Sequence, residues 1–240
     1  MNHMIHCFER AEKKYLLTKE KQEELLHRIS PYIEEDSYGR YTIGNIYYDT
    51  DSYELIRTSL QKPPYKEKLR MRSYGIPKKD DTVFLELKKK YDHTVYKRRI
   101  SCTLLEAERF FTKGRISGGH DQITHEILYF MNFYQPKPKV YLAYDRTAYQ
   151  GRYDKGLRIT FDQQIRSRTY DLQLDKGDYG KPYFYHQEVL MEIKTAYALS
   201  LWLTAILSQM QIYPASFSKY GSIYTRDIAK KETGGNIYAR

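Results

Sequence analysis

"YKEKLRMRSY", residues 65–74, carries Lys66, Lys68, Arg70 and Arg72 at every second position. Successive side chains of a β-strand point to opposite faces, so as a strand this stretch gathers four cations on one face. Like charges lined up on a sheet repel each other. The stretch is tenable as a strand only if something neutralises that face.

The same period of two recurs along the chain. Over 82–90, Glu86, Lys88 and Lys90 oppose Val83, Leu85 and Leu87; over 156–162, Arg158, Thr160 and Asp162 oppose Leu157, Ile159 and Phe161; over 187–194, Glu192 and Lys194 oppose Val189, Met191 and Ile193. Arg10, Glu12 and Lys14 form another such row, and Tyr144 and Arg146 share a face within 139–149. In "YKRRI", Tyr96 and Ile100 pointing outward would send Lys97 and Arg99 inward, but not Arg98. An antiparallel sheet with one face in water accounts for such alternation. The prominence of arginine, whose fork suits phosphate, favours a second arrangement. This is a closed antiparallel β-barrel in an α+β fold, with helices packed outside and the charged faces turned into the lumen. A polyanion, with a metal held by the interleaved carboxylates, would offset the crowded cations.

The remaining pattern supplies the helices. Thr18 is a candidate N-cap for "KEKQEELLHRI", whose Leu25, Leu26 and Ile29 have helical spacing. Further helices are expected over 51–60, 103–113, 120–134 and 198–210, and strands over 8–17, 41–50, 65–74, 82–90, 94–101, 139–149, 156–169 and 183–195. "ISGGHD" (116–121) reads as a turn between helices, and the end of the chain from 230 as solvated or frayed. No repeat or long linker divides the 240 residues, so one domain over 1–240 is expected.

Forty Lys and Arg against thirty Asp and Glu give a net charge of +10, which points to an anionic partner without choosing one. Two cysteines, Cys7 and Cys102, lack metal-ligand or disulfide-framework spacing, and a cytoplasmic setting is expected. There is no membrane-length apolar run, no GxxxxGK[ST] loop and no GxGxxG. The 26 tyrosines could stack on bases, but no nucleic-acid-binding signature accompanies them, so no nucleic acid is expected as partner.

In order and spacing, "RAEKKY" (10–15), "YYDT" (47–50), "KLRMRSY" (68–74), "FLELKKK" (84–90), "YKRR" (96–99), "YDRTAY" (144–149), "LRITFD" (157–162), "VLMEIKT" (189–195) and "FSKYG" (217–221) resemble the catalytic domain of the vacuolar transporter chaperone (VTC) family. That family is the polyphosphate polymerase branch of the CYTH-like triphosphate tunnel metalloenzymes. The resemblance implies an ATP-dependent polyphosphate polymerase, with ATP and polyphosphate as partners and Mn²⁺ or Mg²⁺ as cofactor. It implies catalytic phosphate ligands at Lys14, Arg70, Arg72, Lys88, Arg146, Arg158 and Lys219. Further substrate contacts are implied at Lys97, Arg99, Tyr144, Lys194 and Ser218, and metal ligands at Glu192, Glu12 and Glu86. Where the wider superfamily has E-x-E-x-K on its first strand, this chain has Arg10, Glu12 and Lys14. A triphosphate hydrolase on the same fold and a non-catalytic polyanion-binding domain are the alternatives.

Overall fold

The computed structural model describes residues 11–92, 94–114, 122–184, 187–196 and 198–229. Arg10, Cys7, the start of the first expected strand, the turn at 116–121 and the tail from 230 lie outside them. The elements, in chain order, are β1 (Ala11–Leu17), α1 (Lys19–Ile29), β2 (Ile33–Asp49), α2 (Glu54–Leu60), β3 (Tyr65–Tyr74), β4 (Thr82–Tyr91) and β5 (Thr94–Thr103). After them come α3 (Leu104–Lys113), α4 (Gln122–Tyr134), β6 (Lys137–Gly151), β7 (Arg158–Arg168), β8 (Lys181–Pro182), β9 (Val189–Thr195), α5 (Leu201–Gln209) and α6 (Lys219–Ile223). The ends of several elements are fixed by side chains. Thr18 accepts from the Lys21 amide at α1, and Thr103 and Glu106 form a reciprocal capping box at α3.

Two expectations about extent change. β2 begins at Ile33, eight residues earlier than the apolar pattern of 41–50 shows, because Glu34, Glu35, Asp36 and Gly39 have low strand propensity and do not alternate cleanly. The strand expected over 183–195 is β9 from Val189 onward.

By backbone proximity the chain falls into two units. The first comprises 1–41, 145–164 and 184–217, the second 42–144, 165–183 and 218–240. In the first, β1 pairs with β9 and β9 with β7, both antiparallel. Tyr15, Leu17, Ile159, Phe161, Met191 and Ile193 are buried with Leu25 and Ile29 of α1 and Leu203 and Leu207 of α5 in one apolar core. In the second, β2, β3, β4 and β5 form successive antiparallel pairs. Leu69, Met71, Leu85 and Leu87 pack with Leu104, Ala107 and Phe110 of α3 and Ile127 and Phe130 of α4. In each unit, helices cover the apolar face of the strands and the charged residues occupy the other, as the period of two requires.

The expected closed barrel is not what forms. The strand order is β1-β9-β7-β6-β2-β3-β4-β5, with β8 on β7, and the path ends at β1 and β5, which do not pair with each other. The α+β class holds, but the sheet is open. Closure is expected from arginine-rich faces turned onto a polyanion that offsets their charge. Instead, carboxylates on the same faces meet those cations directly. The end strands themselves carry Lys13 and Lys14, and Lys97, Arg98 and Arg99, and cations on an edge strand discourage pairing.

Candidate functional site

In the second unit the register stacks side chains into rows across neighbouring strands. Tyr47 of β2 lies opposite Arg70 of β3, Arg70 opposite Glu86 of β4, and Glu86 opposite Arg99 of β5. One position along, Lys68, Lys88 and Lys97 form a row of three lysines. Glu86 is buried at the centre. Its carboxylate meets Arg70 at 2.6 Å, Lys97 at 3.2 Å and Arg72 at 3.7 Å, and accepts a further bond from Arg99 Nε at 2.8 Å. Burial alone would raise the pKa of Glu86, but the charges of Arg70, Arg72 and Lys97 and the Arg99 hydrogen bond hold it far below the carboxylate range.

The cations keep donors arranged around this carboxylate. Arg72, itself buried, donates to Asn45 Oδ1 at 3.0 Å and to the Tyr144 hydroxyl at 3.4 Å. Arg70 donates to the Tyr47 hydroxyl at 3.1 Å. Burial pushes the Tyr47 phenol up, yet Arg70, Arg72 and Lys219 overcome it and hold the group below its ordinary value. That is the signature of a strongly positive environment. Lys97 is driven the other way: burial, together with Arg70, Arg72 and Arg99, outweighs the attraction of Glu86 and lowers it to about 8.

Two more of the expected residues come from α6. Lys219 lies with its Nζ 4.6 Å from the centre of the Tyr144 ring. Ser218 caps the helix by accepting from the Gly221 amide, and Lys68 Nζ reaches its hydroxyl at 3.5 Å. The helix is fastened through Tyr220, which donates to buried Asp49 at 2.9 Å and stacks on Tyr47 with ring centres 4.6 Å apart. Asp49 also accepts from the amides of Thr50, Leu55 and Ile56, which holds the start of α2. Arg98 turns to the other face of β5 and meets Glu126 of α4 at 3.2 Å, as its parity requires.

The first unit holds a second charged cluster, built on alternating rows. Glu12 lies opposite Lys194 and Lys194 opposite Arg158; Lys14 lies opposite Glu192 and Glu192 opposite Thr160. Lys14 meets Glu12 at 3.5 Å and Glu192 at 3.9 Å, and donates to the Phe217 carbonyl at 3.0 Å. Lys194 meets Glu192 at 3.8 Å and Glu12 at 3.9 Å. Arg146 forks onto buried Asp162 at 2.6 and 2.8 Å and reaches Glu192 at 3.5 Å. Arg158, half exposed, pairs with Asp36 at 3.2 Å.

Of the expected residues, Arg70, Arg72, Lys88, Lys97, Arg99, Tyr144, Ser218, Lys219 and Glu86 thus belong to the second unit. Lys14, Arg146, Arg158, Lys194, Glu12 and Glu192 belong to the first. Sequence reasoning gave no role to Asp162, Asn45 or Tyr47. Asp162 had a legible signal, as the third polar member of the Arg158, Thr160, Asp162 row. Asn45 and Tyr47 had only their parity in a strand rich in apolar residues.

The expected metal ligands differ in fitness. Glu86 does not suit a metal ion, since four cations already surround it. Glu12 and Glu192 present hard carboxylate oxygens in loose ion pairs, which suits Mg²⁺ or Mn²⁺ when substrate oxygens complete the shell. Among the described residues, no group of three or more His, Cys, Asp and Glu forms a ready-made cage.

The VTC domain model matches residues 9–225. The chain belongs to the VTC domain family. No match was found among the curated proteins. Among solved structures, the chain is similar to a Bacillus halodurans protein described as a candidate adenylate cyclase, at 15% identity and TM-score 0.56, covering 90% of this chain and 96% of that one. It is also similar to HpAC1 from Hippeastrum, a candidate adenylyl cyclase described as having a dominant triphosphatase activity. There the identity is 14% and the TM-score 0.52, over 94% of this chain and 96% of that one. At these identities the likeness concerns the fold. No helix of this VTC-domain protein among the described residues is long and apolar enough to cross a membrane.

Proposed function

We propose that this protein is a divalent-metal-dependent phosphohydrolase, which binds a triphosphate and transfers its terminal phosphoryl group to water. The observation that carries this reading is the set of arginines and lysines gathered around buried Glu86. Arg70, Arg72 and Arg99 retain fixed, directional donors, and Lys68, Lys88 and Lys97 add positive charge with one carboxylate at its centre. Phosphoryl transfer demands alignment and charge neutralisation more than covalent chemistry, and such a cluster offers both. The dominant triphosphatase activity described for HpAC1 supports water as the acceptor on this fold.

Each group has a definite task in this reading. Arg70 and Arg72, positioned by Tyr47 and by Asn45 and Tyr144, hold phosphoryl oxygens with little reorganisation. Glu86 fixes the guanidinium groups and limits their mutual repulsion. Lys219 supplies a further positive charge from a short helix fastened by Tyr220. In the first unit, Lys14, Lys194, Arg146 and Arg158 are cations able to meet phosphate, and Glu12 and Glu192 would hold Mg²⁺ or Mn²⁺. When bound, that ion would neutralise charge on phosphoryl oxygens held by the cations of the same unit.

A second reading, transfer to a growing polyphosphate chain, is favoured by the row Lys68, Lys88 and Lys97. Together with the arginines, that row offers more positive charge than a triphosphate requires. The two readings part on products. Incubation with ATP or tripolyphosphate and Mn²⁺ or Mg²⁺ should release orthophosphate, followed by phosphorus NMR. Chains longer than triphosphate would replace the first reading with the second, and no turnover with either metal would overturn both.

A further inference from the structure

Thr160 lies in the middle of the first unit's charged face. It sits opposite Glu192 in the β7–β9 register, with Arg158 and Asp162 two residues away on the same side of the strand. The side chain is 1% exposed, and its hydroxyl has no hydrogen-bond partner among the described residues. An unsatisfied buried hydroxyl is costly, and folded proteins rarely retain one without a use. The surroundings indicate the use. Arg146 spans from Asp162, held by two short bonds, to Glu192, reached only at 3.5 Å. The long contact is the weaker one, and an incoming anion can replace it.

We propose that Thr160 is a ligand-contacting residue whose hydroxyl donates to a phosphoryl oxygen. The anion takes the place of Glu192 on Arg146, and the Thr160 hydroxyl gains the acceptor it lacks in the ligand-free protein. The ligand class is an inorganic or nucleotide phosphate chain, and the inference rests on the proposed function in that respect alone.

The asymmetry of hydrogen-bond energetics gives a two-sided test on the full chain. Thr160→Val keeps the shape and removes the hydroxyl. It should leave the thermal midpoint of the ligand-free protein unchanged or raised, while weakening tripolyphosphate binding about tenfold by calorimetry. Thr160→Ser keeps the hydroxyl and should bind within about twofold of the parent. A lowered midpoint for Thr160→Val with Thr160→Ser near the parent would show that the hydroxyl already has an internal partner, which overturns the proposal. So would equal affinity in Thr160→Val, or equal weakening in both variants. Absence of tripolyphosphate binding by the parent protein would instead overturn the function reading itself, and this inference with it.

Discussion

At the scale of single residues, Glu86 and Lys97 are opposite consequences of one crowded site. Glu86 is worth most because its carboxylate touches four cations. Its replacement by Gln leaves those cations buried or half-buried without a counter-charge, and should cost about 3–5 kcal/mol in chemical denaturation. Because its folded pKa is depressed, its contribution is present above the unfolded carboxylate value. It is lost as pH falls toward the folded one. The parent should therefore lose stability below about pH 4 more steeply than Glu86→Gln. Lys97 titrates near 8, so it is cationic below that pH and increasingly neutral above it. Tripolyphosphate binding should weaken as pH rises through 8 and be accompanied by proton uptake, measurable as a dependence of binding heat on buffer ionisation. Lys97→Arg should abolish both effects, since a guanidinium stays charged. Arg70→Ala should lower kcat/KM for triphosphate cleavage by about 10²-fold or more, the loss typical of a charge-stabilising donor, and unchanged turnover would remove Arg70 from the site.

At the scale of elements, the alternation of charged and apolar residues was enough to place β3, β4, β5, β7 and β9 and to say which face each helix would cover. Leu69, Leu85 and Leu87 are fully buried beneath α3 and α4, where the period of two puts them. Thr103 and Glu106 fix the start of α3 through their capping box, within the helix expected over 103–113. Thr103→Ala should lower stability by about 1 kcal/mol without affecting activity, by denaturant midpoint and turnover together. Nearly half of β2, residues 33–40, was not readable, since Glu34, Glu35 and Asp36 have low strand propensity. Nor was the open sheet. A charged face is equally compatible with a lumen or with paired carboxylates, and the choice depends on which carboxylate lies across from which cation. Register, which a single sequence does not contain, put Glu86 between Arg70 and Arg99 and Glu192 between Lys14 and Thr160.

For the whole molecule, the net charge of +10 acquires a location. Much of the excess stands on the charged face of the second unit, where Lys68, Arg70, Arg72, Lys88, Lys97 and Arg99 share the single carboxylate of Glu86. Association with phosphate chains should therefore weaken markedly between low and physiological salt, as exposed members such as Lys88 are screened, while binding to Arg72, which is buried, keeps the remainder. Lysines and arginines expected from motif order do congregate. Their supports, Asn45, Tyr47 and Asp162, escaped notice because each is an ordinary residue whose meaning comes from its neighbour.

Asp49 ties two neighbouring segments to a third far along the chain. Its carboxylate holds β2 to the first turn of α2 and, through Tyr220, to the last helix of the second unit. Lys219 is therefore on a latch. Its station depends on one phenol closing onto one buried acid. A Tyr220→Phe protein should keep its strands and its arginines yet lose the fixed position of Lys219, so that one hydroxyl governs whether that cation is on station.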